Sequence, residues 1–170
     1  MPVALVDERW VDPHEAGSNE RLVRERLLRE NAAAARFVGL KNPASTPLLG
    51  ASAAWDAIAK VPRPFDATVL GMGDDGHTAS LIPGSPQLRE ALDPNAFPAC
   101  VAMWSRTAPH ERLSLNLSAL LGSAHISVLI LGEQKLRIYR QACSGRPVEE
   151  MPIRAILHQE RVPVEVIWAP

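Results

Sequence analysis

The segment from Gly71 to Gly84, GMGDDGHTASLIPG, contains the residue types needed for acid–base chemistry on a small anionic ligand. Gly71, Gly73 and Gly76 follow a predicted strand, and glycines at this spacing let the backbone turn sharply and expose N–H groups that can surround an anion. His77 ends the turn, and an imidazole with an unperturbed pKa of about 6.5 is suited to act as a general base at neutral pH. On spacing alone, a turn that only connects two elements explains the pattern equally well.

Two further groups of charged residues follow predicted strands. Asp7-Glu8-Arg9 offers two carboxylates and a guanidinium. Arg9 has the shape to bind a phosphate through two hydrogen bonds, and Asp7 can orient a sugar hydroxyl or the base. Lys135 follows a strand and a glycine, where its ammonium can reach an anion above the sheet, and Arg112 opens another strand. Taken singly, each of these cations is as readily explained by a solvated loop or a surface ion pair.

Several kinds of site are excluded by spacing. The Gly71 segment lacks the helix-opening third glycine of a dinucleotide-binding loop and the Lys-Ser/Thr of a Walker loop. The five histidines show no H-E-x-x-H spacing, and neither Ser80 nor Ser114 lies in a G-x-S-x-G elbow. Cys100 and Cys143 form no metal motif or disulfide framework, and they agree with a reducing cytoplasm.

Length and composition bound the remaining possibilities. The chain has 170 residues, of which 46% are hydrophobic and 22% charged, values typical of one globular domain. A formal net charge of -1 gives no reason to expect a nucleic acid or an anionic membrane as a partner. No apolar run approaches the ~18–20 residues of a membrane helix, and the first residues lack the pattern of a signal peptide. We therefore predict a cytoplasmic protein.

The elements that must position these side chains alternate between strand and helix. Strands are predicted at 3–6, 65–70, 99–104, 112–117, 125–131 and 163–168. Helices are predicted at 19–30, with Ser18 as N-cap, and at 51–60, 87–92, 133–142 and 153–158, and residues 31–40 either continue the first helix or break near Asn31. This order predicts an α/β fold with a mostly parallel sheet flanked by helices on both faces. Ligands of such sheets bind beyond the carboxyl ends of the strands, where all three groups of charged residues fall.

The residues named above resemble the 6-phosphogluconolactonase family. Gly71 to Gly84 resembles that family's G-M-G-x-D-G-H-T-A-S-L-F-P-G almost throughout, and Asp7-Glu8-Arg9-Trp10-Val11 with Ser18-Asn19 resembles its D-E-R-x-V…S-N segment. Pro109 with Arg112 and Gly132 with Lys135 are similar to its P-x-x-R and G-x-x-K segments. The resemblance extends from Val3 to about Trp168, so we expect residues 1–170 to form a single lactonase-like domain.

The resemblance implies hydrolysis of 6-phosphoglucono-δ-lactone to 6-phosphogluconate in the oxidative pentose phosphate pathway, with no metal or organic cofactor. His77 would activate water for attack on the lactone carbonyl, and the partner would be a small phosphorylated sugar lactone. The predicted catalytic residues are His77, Asp7 and Asp75. The predicted substrate-binding residues are Arg9, Gly73, Gly76, Arg112 and Lys135.

Two departures from the family pattern define the alternatives. Glucosamine-6-phosphate deaminases share the fold, but their pattern has a tyrosine where this chain has Arg9 and reads I-A-F-N-E-P where it reads TASLIP, so the lactonase is favoured. The family also begins with a helix, a strand and a Ser-Gly-Gly-Ser-Thr-Pro-type loop before the position of Met1. The alternative is therefore an N-terminally shortened, non-catalytic binding domain or pseudoenzyme, which would expose an apolar sheet edge and self-associate through it.

Overall fold

The computed structural model describes residues 1–104, 109–145 and 147–170. The strands in these ranges are Pro2–Ala4 (β1), Asp7–Arg9 (β2), Arg36–Val38 (β3), Thr68–Gly71 (β4), Cys100–Met103 (β5), Arg112–Leu115 (β6), Ile126–Leu131 (β7) and Val164–Ala169 (β8). The helices are Asn19–Arg26 (α1), Pro47–Ile58 (α2), Leu88–Ala91 (α3), Leu117–Leu120 (α4), Gly132–Ser144 (α5) and Arg154–Leu157 (α6). A 3-10 turn spans Glu30–Ala32.

The strands form three hydrogen-bonded groups. Strands β4, β7 and β8 are parallel, in the order β4-β7-β8, and β1 is parallel to β3. Strands β2, β6 and β5 form an antiparallel group in the order β2-β6-β5. The predicted α/β architecture with parallel pairing is confirmed, and the antiparallel group is an addition that the alternation of elements did not indicate.

The three-stranded parallel sheet is buried on one face only. Leu70, Ile126, Val128 and Ile130 point into the hydrophobic core and are at most 2% exposed. The opposite face carries apolar side chains that are 45–72% exposed: Val69, Leu129, Leu131 and Ile167. Parallel sheets normally have both faces covered, so this face is an unusual feature of the molecule.

Two predicted elements need correction. Asp7-Glu8-Arg9 is not the charged end of the strand predicted at 3–6 but a separate strand, in which Glu8 is fully buried and its two neighbours are only partly buried. Residues 31–40 do not continue the first helix, which ends at Arg26, somewhat before the predicted break near Asn31, and Arg36–Val38 instead pairs in parallel with β1. Three-residue strands are too short to show a hydrophobic period, and pairing partners far along the chain determine them.

Glu8 fixes the start of α1. Its carboxylate accepts hydrogen bonds from the backbone N–H groups of Arg9 (2.8 Å), Asn19 (2.7 Å) and Glu20 (2.8 Å) and from the Ser18 hydroxyl (3.0 Å). Ser18 is the N-cap, as predicted, and its side chain accepts from the N–H of Arg21. A buried carboxylate at this position satisfies N–H groups that a helix start leaves unpaired and is favoured by the helix dipole.

Candidate active site

The parallel pairing of β4 with β7 brings two loops to the same edge of the sheet. The Gly71 segment leaves β4, and α5 begins directly after β7, so both emerge at neighbouring carboxyl ends. Lys135 in the first turn of α5 thereby reaches Asp74, with 2.7 Å between Lys135 Nζ and Asp74 Oδ1. The Gly71 segment and Lys135 therefore lie together at the strand ends, as the sequence predicts.

Asp75 and His77 form a carboxylate–imidazole pair. Asp75 Oδ1 lies 2.6 Å from His77 Nδ1 and also accepts the His77 backbone N–H at 3.0 Å. Partial burial acts to raise the pKa of Asp75, but the hydrogen bonds and the charge of His77 outweigh it and lower that pKa below its ordinary value. Because the carboxylate holds Nδ1, Nε2 is the ring nitrogen that faces outward for proton transfer. The His77 side chain is 32% exposed, which leaves it accessible to a ligand.

The glycines of the segment shape this pair rather than presenting free N–H groups. Gly73 N–H donates to the His77 carbonyl at 2.8 Å, and Gly76 N–H donates to the Gly73 carbonyl at 3.1 Å. These two N–H groups are therefore not available to an anion, contrary to the prediction from the glycine spacing. A Cβ at Gly73 would collide with the His77 ring and with Asp75, and Gly76 adopts a positive φ of 76°, which glycine accommodates without strain.

Asp7 lies against the same segment from the antiparallel sheet. The Ser80 hydroxyl donates to Asp7 Oδ2 at 2.6 Å, and the Asn19 amide donates to Asp7 Oδ1 at 3.2 Å. Burial raises the pKa of Asp7, against the opposing effects of the Ser80 hydrogen bond and of the positive charges of Arg112, Arg9 and His77. Asp7 is therefore close enough to the His77 imidazole and to both guanidinium groups for their charges to affect its pKa.

Arg9 and Arg112 are directly opposite each other on β2 and β6. Arg9 is held by the Gly17 carbonyl at 2.8 Å and by Asn19 Oδ1 at 3.2 Å. Burial lowers the pKa of the Arg112 guanidinium and the charge of Arg9 lowers it further, while the carboxylates of Asp7 and Asp75 oppose the shift. Within the described part of the chain, Arg112 Nε is buried without a hydrogen-bond partner. Two cations facing each other across strands favour binding of an anion between or beside them.

All eight predicted site residues thus lie on the Gly71 segment, on β2 and β6, or at the start of α5. Three further side chains complete the arrangement: Ser80 and Asn19, which orient Asp7, and Asp74, which holds Lys135. Ser80 and Asn19 lie within the motifs that carry the resemblance, which was the available signal. The absence of a G-x-S-x-G elbow excludes Ser80 as a nucleophile, but it does not indicate that the hydroxyl donates a hydrogen bond to Asp7.

Asp7→Asn is expected to raise thermal stability at neutral pH while lowering any activity that needs the carboxylate. A raised pKa in the folded state means that Asp7 binds its proton more tightly than in the unfolded chain. Asp7 is protonated in both states well below pH 3.8, and folding loses stability as the pH rises through the folded-state pKa. The melting temperature of Asp7→Asn should therefore lie a few degrees above that of the unmodified chain at pH 7, and the difference should be smaller at about pH 3. The exposed Asp56→Asn is the control, and a larger gain at pH 3 would contradict the prediction.

The structure also bears on metal binding and on membrane insertion. Within residues 1–104, 109–145 and 147–170, no cluster of three or more His, Cys, Asp or Glu side chains has the geometry to hold a metal ion. In the same part of the chain, none of the helices combines the length and apolar character required to cross a membrane.

The fold and the site together define an α/β protein with a carboxylate–imidazole pair and Lys135 at the carboxyl ends of parallel strands. The family model described as "Glucosamine-6-phosphate isomerases/6-phosphogluconolactonase" matches residues 1–168. The chain belongs to this family.

Within this family, the chain is more similar to 6-phosphogluconolactonases than to a glucosamine-6-phosphate deaminase. The chain is 45% identical over 171 residues to a 6-phosphogluconolactonase of Pseudomonas aeruginosa, covering 100% of this chain and 70% of that protein. It is 42% identical to a 6-phosphogluconolactonase of Rhizobium meliloti, with 100% and 73% covered. The crystal structure of a 6-phosphogluconolactonase from Shewanella baltica superposes with a TM-score of 0.95 at 50% identity, covering 99% of this chain and 72% of that one. A monomeric glucosamine-6-phosphate deaminase, 18% identical with a TM-score of 0.71, shares the fold alone.

Proposed function

We propose that residues 1–170, acting as one α/β domain, hydrolyse 6-phosphoglucono-δ-lactone to 6-phosphogluconate, the lactone-opening step of the oxidative pentose phosphate pathway. The observation that supports this best is the Asp75–His77 pair beside Arg9, Arg112 and Lys135, in a chain similar over its whole length to 6-phosphogluconolactonases. The identity to the deaminase is much lower, so lactone hydrolysis is the better supported chemistry.

In the first step, His77 acts as the general base. Asp75 accepts a hydrogen bond from Nδ1–H, which leaves Nε2 unprotonated and able to remove a proton from water. The resulting hydroxide adds to the lactone carbonyl carbon, and the C=O electron pair becomes an oxyanion. The guanidinium of Arg9 or Arg112 offers positive charge where that oxyanion forms.

In the second step, the tetrahedral intermediate collapses. The oxyanion re-forms the carbonyl, the bond between that carbon and the ring oxygen breaks, and the leaving ring oxygen takes the proton from the His77 imidazolium. The product is an open-chain carboxylic acid that ionises at neutral pH, and the imidazole returns to its starting state. Asp75 keeps the ring oriented through both transfers, and Asp7 contributes a carboxylate for a sugar hydroxyl.

The direct test is hydrolysis of freshly prepared 6-phosphoglucono-δ-lactone by the purified chain. The 6-phosphogluconate formed is followed by coupling to a dehydrogenase, and the spontaneous opening measured in buffer is subtracted. A rate well above buffer is the expected result. A folded chain that gives no excess rate would favour the non-catalytic, pseudoenzyme alternative.

Lys135→Met is expected to raise KM for the phosphorylated lactone roughly 10- to 100-fold, because a charge-assisted hydrogen bond is worth about 1.5–3 kcal/mol. Lys135 is the cation that the sheet topology places at the strand ends, where it is 27% exposed and paired with Asp74. Hydrolysis of unphosphorylated glucono-δ-lactone should change little. Lys60→Met, at an exposed lysine, is the control. Equal losses on both substrates would assign Lys135 a role other than phosphate binding.

We also propose that the chain self-associates, and that a second copy binds the uncovered sheet face rather than the sheet edge predicted from the sequence. Parallel sheets are normally covered on both faces, and contiguous exposed apolar residues commonly mark contact surfaces. Sedimentation at increasing protein concentration measures the self-association of the chain. Leu131→Ser should shift the equilibrium between monomer and dimer toward monomer. Leu48→Ser is a matched control, because Leu48 is 74% exposed and Leu131 72%. Monomeric behaviour of the unmodified chain throughout would rule out the proposed dimer.

We further propose the cytoplasm as the location. Both cysteines, Cys100 and Cys143, are free thiols, as in proteins of reducing compartments. The proposed substrate is a phosphorylated metabolic intermediate. Cell fractionation, followed by detection of the protein, tests this proposal.

A further inference from the structure

Arg154 is a buried cation outside the site. It is the first residue of α6, and it is 4% exposed. Its Nη1 donates to the Pro147 carbonyl at 2.8 Å, and Glu150 Oε2 lies 3.8 Å from the same nitrogen. A guanidinium is rarely buried to this extent without a structural or functional reason.

Arg154 also packs against the end of α5. Gly145 is the C-cap of that helix, and a Cβ added there would collide with the Arg154 guanidinium. A positive charge beside the last turn of a helix interacts favourably with its dipole. Because Lys135 lies in the first turn of α5, Arg154 ties the helix that carries Lys135 to the segment before α6.

That segment supports the turn between the two members of the acid–base pair. Ile153 N–H donates to the Gly76 carbonyl at 2.9 Å, and a Cβ on Gly76 would lie 2.8 Å from Met151 Cβ. Gly76 separates Asp75 from His77 in the chain. Residues 151–153 therefore contact the turn through a hydrogen bond and through packing, immediately before Arg154.

We propose that Arg154 is a positioning residue for the Asp75–His77 pair. By binding Pro147 and the end of α5, it holds residues 151–153 against Gly76, and this contact keeps Asp75 Oδ1 within 2.6 Å of His77 Nδ1. The rate it affects is the lactone hydrolysis proposed above, on which the kinetic part of the proposal rests. Misplacing a catalytic group by about 1 Å costs up to ~10²-fold in rate.

The test compares Arg154→Met with Arg154→Lys. We expect Arg154→Met to lower kcat roughly 10- to 100-fold with little change in KM, whereas Arg154→Lys retains most of the rate because the ammonium still reaches the Pro147 carbonyl. Gly145→Ala, which displaces the guanidinium without changing its charge, should act in the same direction as Arg154→Met. Arg161→Met is the matched control, since Arg161 also donates to a backbone carbonyl, that of Pro94 at 2.6 Å, but it lies on the surface.

A spectroscopic readout separates this proposal from the proposed function. In protein labelled with ¹⁵N-histidine, the short bond to Asp75 places the His77 Nδ1–H proton far downfield, and the signal is assigned by its loss in His77→Ala. Arg154→Met and Gly145→Ala should move it upfield, and Arg154→Lys should not. An unmoved signal in folded variants would overturn the positioning role, even if stability or rate falls. If the unmodified chain hydrolyses no lactone, the proposed function fails and the signal still decides whether Arg154 positions His77.

Discussion

His77→Ala is expected to lower kcat/KM for 6-phosphoglucono-δ-lactone by about 10²- to 10⁴-fold, the usual contribution of a positioned general base. The imidazole is held by Asp75 through Nδ1, which leaves Nε2 as the nitrogen that can exchange a proton with water. Without it, water must attack the lactone unaided by a base, and the ring oxygen must leave without a proton donor. The measurement is the coupled assay at several lactone concentrations, with spontaneous opening subtracted.

The control for this change is His125→Ala. His125 is also partly exposed and near a carboxylate, with Nε2 3.5 Å from Glu165 Oε1, but it lies just before β7, at the opposite end of that strand from the site. Its loss should leave the rate unchanged. A His77→Ala protein that keeps an excess rate close to that of the unmodified chain would remove His77 as the base while leaving lactone hydrolysis itself open.

Glu8→Ala is expected to destabilise the protein by about 3–5 kcal/mol, because each buried donor left without an acceptor costs about 1–3 kcal/mol and the change affects several of them. The change deprives three backbone N–H groups and the Ser18 hydroxyl of their acceptor in a site that is 0% exposed. For a chain of this length, the melting temperature should fall by roughly 10 °C or more. Urea unfolding followed by circular dichroism measures the loss directly.

Glu25→Ala is the matched control for Glu8→Ala. Glu25 lies on α1, the helix whose start Glu8 fixes, and it is 53% exposed, with an ion pair to Arg21 at 2.7 Å. Exposed pairs of this kind are worth only about 0.3–0.5 kcal/mol. Similar losses for the two variants would show that Glu8 contributes no more than a surface carboxylate. Because Glu8 lies between Asp7 and Arg9, the surviving folded fraction of Glu8→Ala should also show reduced activity.

Local residue types were sufficient to predict much of the fold. Ser18 predicts the start of α1 because its hydroxyl can accept a helix N–H, and the structure confirms that contact. The apolar run before Gly132 predicts β7, because short apolar runs of this kind are typical of strands in parallel sheets, although only alternate side chains of the run are buried. The Gly71 segment predicts a turn at a strand end because its closely spaced glycines let the backbone turn sharply, and this depends on no other part of the chain.

Local residue types could not predict the antiparallel sheet. Asp7–Arg9 becomes a strand through its pairing with Arg112–Leu115, more than 100 positions along the chain. A three-residue strand has too few side chains to show alternation, so its conformation depends on the partner rather than on its own propensity. The same pairing places Arg9 opposite Arg112, which neither segment indicates alone.

The sequence by itself determined that His77 and Asp75 lie side by side, because the two residues and the glycines around them are neighbours in one turn. It also determined the alternation of elements that brings Lys135 to the same sheet edge. Only the tertiary structure decided which carboxylate serves which purpose. It buried Glu8 as a helix cap, set Asp7 against Ser80, and placed Ile153 against the Gly76 turn. The physical reason is that burial and hydrogen bonding between distant segments are properties of the packed chain, which no single segment contains.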